Sequence, residues 1–177
     1  MKYYEFFSNG GGIIGESKDL SMDITGGAGG EVAVFGGIPH SKIAFHTDKI
    51  YPSEPIKLEA HYYNEGEKVI EIDLTNAGSP QVVSEDFKKL VEELDPNCAQ
   101  FFNTEGTNYK PNKKYFVMHI TKLVEKGDVT ENDHVFRVKS DVLFHMVSEK
   151  FYKAFKKRKL KGVAFTEHTR YMTNCWD

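Results

Sequence analysis

Seven histidines, two cysteines, repeated glycine clusters and one run of cations are the features of this 177-residue chain with the right chemistry for a site. The histidines, His40, His46, His61, His119, His134, His145 and His168, are scattered, with no HExxH or other spacing that would bring two imidazoles to one metal ion. No metal is expected. His119 and His145 lie in apolar, strand-like runs and read as hydrogen-bonded structural residues. Cys98 and Cys175 sit in no CxxC pair and read as inert thiols. The glycines lack the companions of a phosphate cradle: there is no GxxxxGK[ST], and no GxGxxG between a strand and a helix. No GxSxG elbow is present either, so nucleophilic catalysis has no local signature, and only a site dispersed along the chain would make an enzyme. No cofactor is expected, and an enzyme with a dispersed site stays open as an alternative.

The cations from Lys156 to Lys161 (KKRKLK) have a different chemistry. Several could neutralise phosphates while Tyr152, Tyr171 and Trp176 stack on bases, which keeps a nucleic-acid-binding module as an alternative. Against it stand a net charge of −3 and the simpler role of cations at a helix C-terminus. Charge is also unevenly placed. Residues 1–80 hold six Lys, no Arg and twelve acids, whereas residues 81–177 hold seventeen basic and fourteen acidic residues, so the N-terminal half is the acidic one.

The elements that position these groups follow from periodicity. VSEDFKKLVEEL at 83–94 is echoed by VSEKFYKAFKKRKL at 147–160, with Val, Ser, Glu, Phe and Lys in the same places. In the first copy Ser84 is the cap, Glu85 and Asp86 face the positive end of the helix dipole, and Phe87, Leu90, Val91 and Leu94 form one apolar stripe. In the second, Ser148 caps, Phe151, Ala154 and Phe155 start the stripe, and Gly162 supplies a left-handed stop. Strands are expected at Lys2–Phe7, Glu31–Phe35, Ala99–Phe102, Lys114–Ile120 and Val163–Phe165. A hairpin is expected to join 57–63 to 69–74 across Asn64–Glu67, and another to join 135–138 to 143–147. Ile70, Ile72 and Leu74 alternate with Glu71 and Asp73, which predicts one buried face and one wet, acidic face.

These elements give an α+β fold with mostly antiparallel sheet and two principal amphipathic helices, 84–95 and 148–160. Residues 1–177 are expected to form one domain, with a loop-rich lobe over 1–68 and a second lobe over 69–167. The N-terminus, MKYYEFFSNGGG, has no signal-like apolar stretch and no apolar run approaches a membrane span, so a cytoplasmic protein without membrane association is expected.

Four segments in order resemble the bacterial immunity proteins of polymorphic toxin systems, immunity family eleven. They are Val83-Ser84-Glu85-Asp86-Phe87 with Leu90; Ala99-Gln100-Phe101-Phe102; Lys114 through Ile120; and Met146-Val147-Ser148-Glu149-Lys150-Phe151 continuing through Leu160 to Phe165. The resemblance covers about residues 69–166. It implies a non-catalytic protein whose partner is a cognate toxin, bound and neutralised. The matched residues are mostly apolar or caps, and no contact residue is carried over. Charge suggests one instead: an acidic surface would meet the basic cleft of a nucleic-acid-cleaving toxin with steered association. Glu65, Glu67, Glu71 and Asp73 are the densest acidic patch, with Glu92, Glu93 and Asp95 second.

Overall fold

The computed structural model describes residues 1–8, 17–24, 34–35, 38–39, 46–53, 56–63, 68–74, 80–106 and 112–168. Thirteen strands and two helices are assigned among them, in the order β1 (Tyr3–Ser8), β2 (Ser17–Ile24), β3 (Val34–Phe35), β4 (Ile38–Pro39), β5 (Ile56–Tyr63), β6 (Lys68–Glu71), β7 (Gln81–Ser84), α1 (Glu85–Leu94), β8 (Ala99–Gly106), β9 (Tyr115–Ile120), β10 (Leu123–Val124), β11 (Val135–Val138), β12 (Asp141–Ser148), α2 (Glu149–Lys157) and β13 (Val163–Glu167). They build a six-stranded sheet, β6-β2-β5-β8-β9-β7, and a five-stranded sheet, β10-β11-β12-β1-β13, with β3 and β4 as a separate pair. The β2–β6, β5–β8 and β10–β11 pairings are parallel and the other ladders antiparallel. The fold is α+β, with two helices on two mixed, mostly antiparallel sheets.

The repeated phrase builds the same local structure twice. Ser84 and Ser148 have φ/ψ of −70/164° and −73/162°, and each Oγ accepts the backbone N–H three residues on, from Phe87 and Phe151, at 3.2 Å. This satisfies one of the free donors of each first turn. The likeness extends beyond the helices. Strands β7 and β8 flank the antiparallel β9, and β12 and β13 flank the antiparallel β1. Ser84 pairs with Tyr115 and Ser148 with Tyr3; Glu85 N–H donates to the Lys114 carbonyl and Glu149 N–H to that of Lys2. The 64-residue offset that relates the two phrases also relates Ala99 to Val163, each opening its strand at the far end of the central one. The central strands break the rule: β9 follows its unit in the chain, whereas β1 precedes its partners by most of the sequence.

The two units share one core. Phe87 and Phe151, occupying the same place in each phrase, meet edge to face at 5.7 Å, and both are fully buried with Phe6, Leu90, Val91, Val135, Val147 and Phe155 around them. Gln81 and His145, also at the 64-residue offset, join across the same region at 3.0 Å.

Four expectations need correction. The segments 57–63 and 69–74 do not form a hairpin, because β2 lies between β5 and β6 and pairs with both. The second helix ends at Lys157 rather than 160. Lys159 takes φ 57°, its N–H donates to the Lys156 carbonyl, and that of Leu160 returns to Phe155, which closes the helix as a Schellman turn. Gly162 is left-handed at φ 85° but stands past this turn, where a Cβ would lie 2.7 Å from Ile72 Cβ; close packing, not helix termination, is its role. Finally, Asp73 does not belong to a wet face: it is 1% exposed. Of the expected strand at Glu31–Phe35 only Val34–Phe35 is described, and residues 31–33 lie outside the described residues.

Candidate functional site

The seven acids proposed from charge separate into three kinds. Glu65 and Glu67 lie outside the described residues. Glu71, Asp73 and Asp95 are engaged within the fold. Glu71 accepts from the backbone N–H groups of Asn112 and Lys113 at 2.7 and 2.8 Å and holds the turn before β9. Asp73 accepts from Ser84 Oγ at 2.6 Å, Lys113 Nζ at 2.5 Å and Lys161 N at 2.7 Å, which ties the first unit's cap to the loop after α2. Asp95 makes the reciprocal tie. Its Oδ2 accepts from the backbone N–H groups of His134 and Val135 at 3.0 and 3.3 Å and from Lys122 Nζ at 2.8 Å. Burial opposes the Lys122 charge, but its hydrogen bonds to Asp95 and Asp133 outweigh it and raise the ammonium above its ordinary pKa. With 1% and 8% exposure, Asp73 and Asp95 cannot meet a partner, which corrects that part of the charge argument. Glu92 and Glu93 are exposed on α1, Glu92 paired with Lys88 at 2.6 Å and Glu93 with Arg158 of α2.

One arrangement has the outline of a nucleophile and base. His134 Nδ1 lies 2.9 Å from Ser148 Oγ beside a pocket of about 370 Å³ lined by Lys2, Tyr3, Glu131 and Lys150 among others. Burial, then the nearby Lys150 charge, lowers the His134 pKa and so favours the neutral ring, the form from which a base acts. The first unit supplies the comparison that interprets it. Ser84 bears the same relation to Asp73 as Ser148 to His134: the residue accepts a helix N–H at Oγ, bonds a flanking acceptor, and its own N–H donates to that acceptor residue's carbonyl. A device present twice, once with aspartate in place of histidine, is a cap lock. No carboxylate orients the His134 ring among the described hydrogen bonds, as a triad would require.

His119 and His145 are hydrogen-bonded and buried, as expected. His119 Nε2 lies 3.0 Å from the Asp48 carbonyl, and burial lowers its pKa. Burial first, then the positive field of Arg137, lowers His145 to about 3. Arg137, itself buried, reaches the carbonyls of Val142 at 2.5 Å and His46 at 2.7 Å. Cys98 is fully buried, and burial followed by the Asp95 charge pushes its thiol pKa well up, which leaves it protonated and inert. Cys175 lies outside the described residues. No group of three or more His, Cys, Asp or Glu among the described residues is arranged to hold a metal ion.

The cations from Lys156 to Lys161 are all exposed. Lys156 lies over the rings of Tyr152 and Phe165, at 5.6 and 5.7 Å from their centroids, and Arg158 pairs with Glu93. The ammonium groups of Lys157, Lys159 and Lys161 have no ion pair among the described residues. No helix among the described residues is long and apolar enough to cross a membrane.

Residues 106–170 match the model of the Immunity protein family (Imm11). The match runs from the end of β8 through β9 and the whole of β12-α2-β13, so it covers the second phrase and leaves the first, at 83–94, outside. No curated protein matches the chain.

Proposed function

We propose that this chain is a non-catalytic immunity protein that binds and neutralises the cognate toxin of a contact-dependent or secreted bacterial toxin system, acting in the cytoplasm. The family match over residues 106–170 is the observation that carries this reading. The structure is consistent with a binding role: its most catalytic-looking pair, His134 and Ser148, repeats a capping arrangement found in the other unit. Glu92 and Glu93 are the members of the acidic set exposed among the described residues, and α1 presents them with Glu85 and Asp86 on its solvent side. Such a surface suits a basic cleft on a toxin that attacks nucleic acid, where charge complementarity speeds encounter.

The test is co-expression of the chain with toxin genes from its own source, followed by recovery through a tag on the chain. The expected result is relief of growth arrest by one toxin and its stoichiometric co-purification after nuclease treatment. Growth arrest unrelieved by the chain for every toxin of that source would overturn the proposal. A Glu92→Lys, Glu93→Lys variant should associate more slowly with that toxin; an unchanged rate would remove α1 from the contact face.

A further inference from the structure

We infer that the cationic end of α2, centred on Lys157, Lys159 and Lys161, is a second half of the contact face, and that the toxin meets it with a carboxylate-rich surface. The inference rests on the toxin-binding reading above and deepens it by fixing the partner's charge pattern.

The first observation is electrostatic. Five cations crowd into six residues, and three of them have no ion pair among the described residues. Lys153, Lys157 and Lys161 succeed one another at intervals of four, with Lys153 already paired to Glu149 at 2.8 Å. Lys153 and Lys157 both lie on α2, where like charges at that spacing repel. The helix dipole does not require them all, because Lys156 and Lys157 already occupy the last turn and Arg158 the cap.

The second observation is conformational. Lys159 occupies the left-handed position of the Schellman turn, at φ 57°, where glycine is the usual residue because it has no Cβ to strain. The fold places a long cationic side chain at a position where the backbone disfavours it, and no described ion pair within the molecule uses its charge. A partner's carboxylate supplies the missing use.

The third observation selects the class of partner. Exposed Glu93 is tied to the cluster through Arg158, and exposed Glu92 stands next to Glu93 in the sequence on α1. A nucleic-acid backbone crossing the lysines would meet those carboxylates. A folded protein can set acids opposite α2 and bases opposite α1, so the paired helices present a face of two signs that also fixes the orientation of docking.

The test uses the full chain and the toxin recovered with it, and compares wild type, Lys157→Glu/Lys159→Glu/Lys161→Glu, the milder Lys157→Gln/Lys159→Gln/Lys161→Gln, and Lys159→Gly. Association rates are measured at low and high salt, melting temperatures are taken for each variant, and a single-stranded RNA oligonucleotide serves as a second probe. Both triple variants should melt no lower than wild type and associate more slowly, the reversal by about tenfold or more. Lys159→Gly should raise the melting temperature by about 2–4 °C and still weaken toxin binding. Toxin binding unchanged in the triple variants would overturn the inference and leave the immunity reading standing, whereas a wild-type chain that binds no toxin would remove both. RNA binding abolished by the triple reversal, with toxin binding intact, would overturn it in favour of a polyanion.

Discussion

Asp73 and Asp95 are acids of the kind that charge density alone places on a surface, yet each fastens one unit of the fold to the other. Removing a buried carboxylate leaves its donors unpaired, so Asp73→Ala should cost about 3–5 kcal/mol in urea denaturation, whereas Glu92→Ala should change stability by under about 0.5 kcal/mol. Gly162→Ala should cost at least about 1–3 kcal/mol from strain at positive φ, with the crowding against Ile72 added. His145 makes stability depend on pH. Its folded pKa of about 3 lies below the unfolded value of about 6.5, so between these limits the unfolded chain binds a proton that the folded chain does not. Its contribution is complete above about pH 6.5 and declines as pH falls toward 3, at up to about 1.4 kcal/mol per pH unit; His145→Gln should flatten that limb in denaturation midpoints taken at pH 7, 6 and 5. The sequence showed that His145 was apolar in setting, but not that Arg137 adds to its field, because that proximity depends on the β11–β12 pairing.

At the scale of elements, the helices were the most legible parts. Their caps and stripes depend on residues within one or two turns, and both begin where Ser84 and Ser148 place them. The two caps should nevertheless differ in worth. Ser84 also donates to an aspartate, a charge-assisted bond, whereas Ser148 faces a neutral His134. Thus Ser148→Ala should cost about 1 kcal/mol and Ser84→Ala measurably more, as read from paired denaturation curves. Phe87→Ala and Phe151→Ala should each cost about 3–5 kcal/mol, because both rings are fully buried and touch each other. Strand order was less legible. The stretch from Lys57 to Leu74 has a hairpin's alternation and turn residues, but nothing local in it says that Ser17–Ile24 will take the place between the two strands. β2 itself, SKDLSMDI, mixes Ser, Lys and Asp with its apolar residues and carries little strand signal.

For the whole molecule, the repeated phrase is the visible part of a larger correspondence. Lys114-Tyr115 and Lys2-Tyr3 open the two central strands and accept or pair with the same positions of the two phrases. That match was hidden in the sequence because one central strand follows its unit and the other lies at the opposite end of the chain. Deleting residues 1–8 should therefore do far more than trim an edge. It removes the strand between β12 and β13, together with Phe6 from the shared core, and should abolish cooperative thermal unfolding. The family match has the same lesson for the candidate site: it covers β12-α2-β13, but the acids Asp73 and Asp95 that brace that unit come from outside it or before it in the chain.

The position of β1 also sets an order of events during synthesis. Residues 81–120 contain β7, α1, β8 and β9, a unit whose strands pair with near neighbours, and it can close while the rest of the chain is still being made. β1 is made before its partners β12 and β13, which end at Ser148 and Glu167. Until they arrive, an apolar strand containing Tyr3, Tyr4 and Phe6 has two open edges, the state in which chains aggregate or recruit chaperones. The five-stranded sheet is thus completed by late strands closing around an early one, and α2, with the cations at its end, connects the two strands that close it.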